Sequence, residues 1–494
     1  MDADVLIIGS GMGGATMAAA LAPTGRRILI LERGEHLRPS AQDRDPDAVF
    51  RDGAFRPDEV WLDGADQSFN PGNYYNVGGN SKFYGAALIR YREADFGPVA
   101  HSSGTTPGWP IDYSELEVDY QAAEELYQVR GNAAQDPTEP YHSGSYPHPP
   151  VPDEPDVAAL RNRLSEIGLT PSSIPLGLDL PAWLSVGKTA WDAYPNTGRG
   201  KMDAETAGLT EALRHNNVSL RTGCRVEWIE VDGTGRVAGV GLSTGETFTS
   251  PLVVVAAGAV QTAALLLRSA KGDHPTGLAN RSDQVGRNFM NHNCSAVIAL
   301  HPLRKNRSVY QKTLMLNDFY LATDDRPPLG NVQMLGKITG PIIAANSRSA
   351  KWLANFVATR SFDFYAMSED LPNPNSRVTL KDGQIKLDWQ RSNWAAHMQL
   401  VKALKSKLRK AGFPFVASKP FDRRTPSHQC GTARMGDDPA TSVVNSYCRS
   451  HDHPNLFIVD ASVLPTSAAV NPALTIAALA LRAGRHIIET EFAA

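Results

Sequence analysis

The chain has 494 residues and 42% apolar content, enough for two to three domains and a large core. Lys plus Arg number 49 against 52 Asp plus Glu, and the net charge of −3 argues against a dedicated nucleic-acid binder. With no run of about 18 apolar residues and no room for a secretory signal before the first strand, the expectation is a soluble cytoplasmic protein without membrane or nucleic-acid partners.

Residues 4–8 (Asp-Val-Leu-Ile-Ile) read as a short buried parallel strand. It runs into Gly9-Ser10-Gly11-Met12-Gly13-Gly14, the spacing G-x-G-x-x-G. Residues 15–21 read as a helix, and 27–31 as a second strand closing on Glu32. Such a βαβ unit binds a dinucleotide. Gly9 permits the tight turn, Gly11 lets the backbone approach a pyrophosphate, and Gly14 lets helix and strand pack closely. The helix N-terminus faces the phosphates, and Glu32 accepts from a ribose hydroxyl.

Residues 36–75 read as polar and irregular, and 76–92 as a glycine-marked loop followed by a short apolar element. Residues 109–131 read as one helix with the apolar stripe Leu116, Tyr120, Ala123, Leu126, capped by Asp112 or Ser114. Residues 137–155 carry seven prolines and read as a stiff surface connection or, alternatively, a lid or oligomer arm. A helix is expected at 204–214, and strands at 218–220, 225–231, 237–242 and 252–256; Gly258 then turns the chain into a helix ending near Arg268. Alternating runs at 295–300, 331–336, 362–367 and 377–380 indicate an antiparallel sheet with one face covered. Lys402, Lys405, Lys407, Arg409 and Lys410 read as the solvated face of a helix. Residues 456–460 restore a buried parallel strand ending in Asp460, and 473–489 form the last helix.

The fold class is therefore α/β. A discontinuous Rossmann-like domain takes in residues 1–150, 196–294 and 425–494. Residues 151–195 connect on the substrate side, and an α+β substrate domain built on an antiparallel sheet is inserted at 295–424. Cys224, Cys294, Cys430 and Cys448 show neither C-x-x-C nor zinc spacing, so buried free thiols and no metal are expected. His292, His451 and His453 read as packing or surface histidines.

Four motifs in order resemble the glucose-methanol-choline (GMC) oxidoreductase family across nearly the whole chain. They are Gly9–Gly14 with Glu32 and Arg33; Val77-Gly78-Gly79-Asn80-Ser81; residues 369–378; and a C-terminal block from His428-Gln429-Cys430-Gly431-Thr432 through Asp460 and Ser462 to Asn471-Pro472 and Thr475. The resemblance implies an FAD enzyme that oxidises alcohols. The His…Asn-Pro ending is similar to the pyranose oxidase branch, and residues 312–337 resemble bacterial C-glycoside 3-oxidases. Phe83 stands where some pyranose oxidases carry a flavin-anchoring histidine, so FAD is expected to be held non-covalently.

The resemblance also assigns roles. His428 is the base that takes the alcohol proton, as the hydride passes to flavin N5. Asn471 hydrogen-bonds the same hydroxyl, and Pro472 opens a helix whose positive end faces the flavin pyrimidine ring. Cofactor contacts fall on Gly9, Gly11, Met12, Gly14, Glu32, Arg33, Gly78, Gly79, Asn80, Ser81, Val226, Ala257, Gly258, Asp460, Ala461, Asn471, Pro472 and Thr475. Gln333 and Lys337 are the substrate candidates, with core packing or a surface ion pair as the other reading of each. The expected reaction is oxidation of a ring hydroxyl of a sugar or of a C- or O-glycoside, at C3 or C2, with oxygen reoxidising the flavin. A dehydrogenase using a quinone or protein acceptor, an NAD-dependent dehydrogenase, a non-redox flavin lyase and a non-enzymatic binding protein are the competing readings.

Overall fold

Residues 2–347, 349–425 and 428–492 are described in this computed structural model, those of Asn346 by backbone only. Five strands form a parallel sheet in the spatial order Leu456–Ile458, Val253–Val255, Val5–Ile8, Ile28–Leu31, Val218–Arg221. Ile7 lies between Val254 and Ile30 in register. The first strand and Val253–Val255 are wholly buried, so neither alternates; a parallel sheet covered on both faces reads as a continuous apolar run. The helices Met12–Leu21 and Ala473–Glu491 pack against each other over it. Gly14 lets the first helix sit close on the end of the first strand, since a Cβ there would be 2.0 Å from the Gly9 carbonyl oxygen.

The substrate half is a six-stranded antiparallel sheet in the order Phe415–Pro420, Asn293–Leu300, Ser361–Ser368, Asn331–Met334, Leu314–Leu316, Pro171–Ser173. Leu400, Leu404 and Leu408 of the Trp394–Lys410 helix bury against it together with Leu160 and Leu164. Lys402, Arg409 and Lys410 of the same helix are exposed.

Several elements were not visible in the sequence pattern. Residues 36–75, read as irregular, contribute the strands Trp61–Asp63 and Ser68–Phe69 to a four-stranded sheet with Arg377–Lys381 and Gln384–Asp388. Strands of two or three residues are too short for alternation to show. The same holds for the short helices Gly340–Asn346 and Lys351–Ala358, inside a region read as sheet. At 204–214 the chain is helical as expected, a short π-helix, Glu205–Leu209, running into the α-helical turn Thr210–Ala212. The Tyr113–Leu126 helix does start at an Asp112–Glu115 capping box. Residues 137–155 are irregular until the Pro155–Glu166 helix begins. Their hydrogen bonds reach Arg90, Arg92, Tyr310 and Thr313. All four cysteines are buried free thiols. Among the described residues no helix is long and apolar enough to cross a membrane, and no His/Cys/Asp/Glu group could hold a metal.

Candidate functional site

The loop after residue 427 is pinned beside the start of the Asn293–Leu300 strand. Met290 and Cys430 exchange backbone hydrogen bonds of 3.0 Å, and the Gly431 N–H donates to the Ala461 carbonyl. His428 is held there at φ = +66°, a left-handed conformation that few non-glycine residues adopt and that clusters at functional sites.

Hydrogen bonding fixes the tautomer of His428. His292 Nε2 lies 2.9 Å from the Ser467 carbonyl and 2.8 Å from that of Ala468. Carbonyls only accept, so this nitrogen carries the proton of a neutral ring and His292 Nδ1 is an acceptor. His428 Nδ1 stands 2.8 Å from it and must donate. His428 Nε2 is then the acceptor, and it takes a hydrogen bond from Asn471 Nδ2 at 3.1 Å. Asn471 Oδ1 accepts from Gln333 Nε2 at 2.6 Å, which sets the amide orientation. Gln333 Oε1 is buried without a hydrogen-bond partner.

Charge favours the same state. Burial pushes the His428 pKa well below its ordinary value, and the nearby His292 and Lys312 push it further. Burial likewise lowers His292, against the pull of the two carbonyls. The buried Lys312 pairs with Asp192 at 3.2 Å, and Asp192 also accepts from the Gly336 N–H.

The sequence brought His428, Asn471 and Gln333 to attention, and the structure places the three in one chain of hydrogen bonds. Lys337 is engaged elsewhere. Its ammonium donates to the Ser361 carbonyl at 2.9 Å, at the end of the sheet remote from His292. His292 was read as a packing histidine and is instead the direct partner of His428. Lys312 and Asp192 were missed as a pair, because no sequence spacing links positions so far apart.

The two glycine motifs meet. The Gly78 N–H donates to Ser10 Oγ at 3.0 Å, and Ser10 donates through both N–H and Oγ to the buried Glu32. Glu32 also accepts from the Gly34 N–H. Burial raises its pKa against these bonds. Arg33 stacks over the Tyr75 ring at 3.8 Å. Ser81 Oγ bridges the Gly78 carbonyl and the Ala204 N–H, while Asn80 Oδ1 accepts from the Tyr74 N–H. Asp460 ties the Gly258 N–H, the Ser462 N–H and the Thr262 hydroxyl. Thr475 Oγ1 bonds the Tyr120 hydroxyl, and Val226 begins a half-buried strand.

This arrangement fits a dinucleotide. A Cβ at Gly11 or Gly258 would meet nothing within 4 Å, and one at Gly79 would meet only the Gly11 Cα at 3.6 Å. Three glycines from separate segments thus border open space. Met12 opens the first helix there with no side-chain cap on its N-terminus, and Pro472 precedes the last helix in the same uncapped way. Phe83 is buried, stacked on Tyr74 at 3.7 Å, and offers no atom for a covalent bond.

Comparison with known proteins agrees. Models of the GMC oxidoreductase family match residues 187–294 and 372–480, and a NAD(P)-binding Rossmann-like domain matches 7–77. The 6'''-hydroxyparomomycin C oxidase of Streptomyces lividus is 30% identical, over 98% of this chain and 91% of its own length. A C-glycoside 3-oxidase from Arthrobacter globiformis is 43% identical over 63 residues, 13% of this chain and 12% of its own. In fold, a pyridoxine 4-oxidase from Mesorbium loti superposes with a TM-score of 0.69 at 18% identity, covering 99% of both chains. The chain belongs to the GMC oxidoreductase family and is an enzyme acting on CH–OH groups with non-covalently held FAD.

Proposed function

We propose that the enzyme oxidises a secondary ring hydroxyl of a pyranose or glycoside to the ketone, at C3 ahead of C2, with oxygen as electron acceptor. The observation that carries the reading is the directed chain Gln333–Asn471–His428–His292. It leaves one basic nitrogen, His428 Nε2, beside an amide that donates. A substrate hydroxyl that takes the place of the Asn471 N–H at Nε2 gives its proton to that nitrogen while the Asn471 amide holds its oxygen. His292 keeps the proton of His428 on Nδ1, so Nε2 stays unprotonated and able to take a proton from substrate. Bound FAD supplies the two-electron acceptor for the hydrogen leaving carbon.

A sugar rather than a simple alcohol is favoured by the polar lining. Gln333 Oε1 is an unsatisfied buried acceptor, suited to a second hydroxyl of the same molecule. The charged pair Lys312–Asp192 lies near the base. The choice of C3 rests on the resemblance of residues 312–337 to glycoside 3-oxidases. A C-glycoside has no glycosidic C–O bond to hydrolyse. A ketone at C3 acidifies the C2–H, so elimination of the aglycone by a second enzyme becomes accessible.

Anaerobic bleaching of the flavin with monosaccharides, O-glycosides and C-glycosides, followed by NMR location of the new carbonyl, tests this. Glycosides should bleach it and yield the 3-ketone. Bleaching by small aliphatic alcohols alone rejects the sugar assignment, and absence of bleaching by any alcohol points to a non-redox flavin lyase.

A further inference from the structure

Residues 301–307 and the end of the Lys351–Ala358 helix form a surface that alcohol oxidation does not use. The loop is fastened to the helix end. The Asn306 N–H donates to the Thr359 carbonyl at 2.9 Å, and Arg360 Nε donates to the Pro302 carbonyl at 3.0 Å. The Arg360 guanidinium also lies 4.2 Å over the Phe356 ring, which fastens the loop to the last turn of the helix.

That face is apolar where it is most exposed. Leu303 is 88% exposed, Trp352 72%, Leu353 40% and Phe356 36%. Trp352 and Phe356 stand one helical turn apart and so share a side. A contiguous apolar patch rimmed by polar groups marks an interaction site.

The rim is strongly basic. A cavity of about 390 Å³ beside the patch is lined by Arg163, His301, Arg304, Lys305, Arg307 and Arg360, with Asp156 the carboxylate among its lining residues. Among the described residues none of these five Arg and Lys side chains forms an ion pair with a carboxylate. Asp156 accepts instead from the Arg307 backbone N–H. Arg163 Nη1 is buried with no acceptor at all. The chain as a whole is net negative, so five unpaired cations in one place are a local feature that calls for an anionic partner.

We propose that this surface docks the enzyme on an anionic lipid bilayer. Trp352, Leu353, Phe356 and Leu303 enter the boundary between headgroups and acyl chains, and Arg304, Lys305, Arg307 and Arg360 pair with lipid phosphates. A bilayer supplies both things the patch lacks, an apolar phase and a layer of anions over it. This is association with a surface, and it requires no helix to cross.

Docking leaves the catalytic site clear. Ser361, at the edge of this surface, lies four residues from Tyr365, the register partner of Gln333, so about 13 Å of strand separates the surface from the nearest residue of the site and more separates it from His292. The proposal is thereby independent of which alcohol is oxidised.

Flotation of the FAD-loaded enzyme with vesicles tests it. Phosphatidylcholine vesicles containing phosphatidylglycerol should carry the wild type, phosphatidylcholine alone should not, and salt should weaken the association. Arg304→Gln with Lys305→Gln should reduce binding by about 25-fold, roughly fivefold for each charge removed. Trp352→Ser should abolish the blue shift of tryptophan fluorescence on vesicle addition. Both variants should keep wild-type turnover with a soluble dye acceptor, which shows that they are folded. Wild-type enzyme that ignores anionic vesicles overturns the proposal, as does binding that both sets of substitutions leave unchanged. Binding to soluble polyglutamate but not to anionic vesicles would replace the bilayer with an acidic protein.

Discussion

His292 Nδ1 lies 2.8 Å from His428 Nδ1, and two backbone carbonyls hold the other nitrogen of His292. The pair has one satisfactory arrangement of protons when both rings are neutral. His292 accordingly fixes the tautomer of His428, the base in the proposed reaction.

His292→Leu removes the acceptor for the His428 Nδ1–H. The rate of flavin reduction should fall by about 10- to 100-fold with FAD still bound. His292→Gln offers a side-chain carbonyl and should recover part of the loss. The acidic limb of the pH profile should also move, which a merely structural role would not cause. Equal rates in the leucine variant and the wild type would remove His292 from the account.

Gln333 holds Asn471 by one hydrogen bond and presents a free acceptor. Gln333→Leu should lower kcat/KM for a glycoside by about fivefold or more, the worth of one hydrogen bond. The loss should be smaller for a mono-alcohol, which has no second hydroxyl to offer. Equal losses for both substrates would leave Gln333 with the Asn471 role alone.

Phe83 packs face to face with Tyr74. Acid precipitation should therefore release all FAD into the supernatant. Yellow colour remaining in the washed pellet would contradict non-covalent binding.

Three buried histidines tie stability to pH. Burial lowers His428 and His292, and His397, bonded to Ser295 and Ser368, is brought to about 3. In the unfolded chain each takes a proton near pH 6.5, while in the native state each stays neutral to lower pH. The unfolded state binds more protons on the acid side, so stability is full above about pH 6.5 and declines as pH falls below it. The buried Asp95 and Asp370, raised to about 7 and about 6, act with the opposite sign in this window, so the histidine contribution is read as a difference. By thermal midpoint, His397→Gln should lose less stability than the wild type between pH 7 and 5, and an equal or larger loss would refute the sign.

What the sequence made legible was set by length and periodicity. Residues 4–8 and 252–256 could be read as buried strands because each is an apolar run beside a glycine turn. The glycine motifs announced their own geometry, since Gly14 and Gly11 are constrained by close packing and by open space respectively. His428 and Asn471 were visible through family motifs. His292 was not, because its role depends on the 136-residue separation that the fold closes. Lys337 drew attention by its type, yet burial beside Asp363 and the Ser361 carbonyl gave its charge a structural partner. Strands as short as Trp61–Asp63 owe their existence to neighbours and leave no pattern of their own.

The most direct test of the central claim is stopped-flow flavin reduction in His428→Ala under anaerobic conditions, with a substrate that bleaches the wild type. The variant should bind FAD fully and show its ordinary spectrum, while reduction slows by at least about 10². Reduction at a near-wild-type rate in a folded, FAD-loaded variant would show that His428 is not the base.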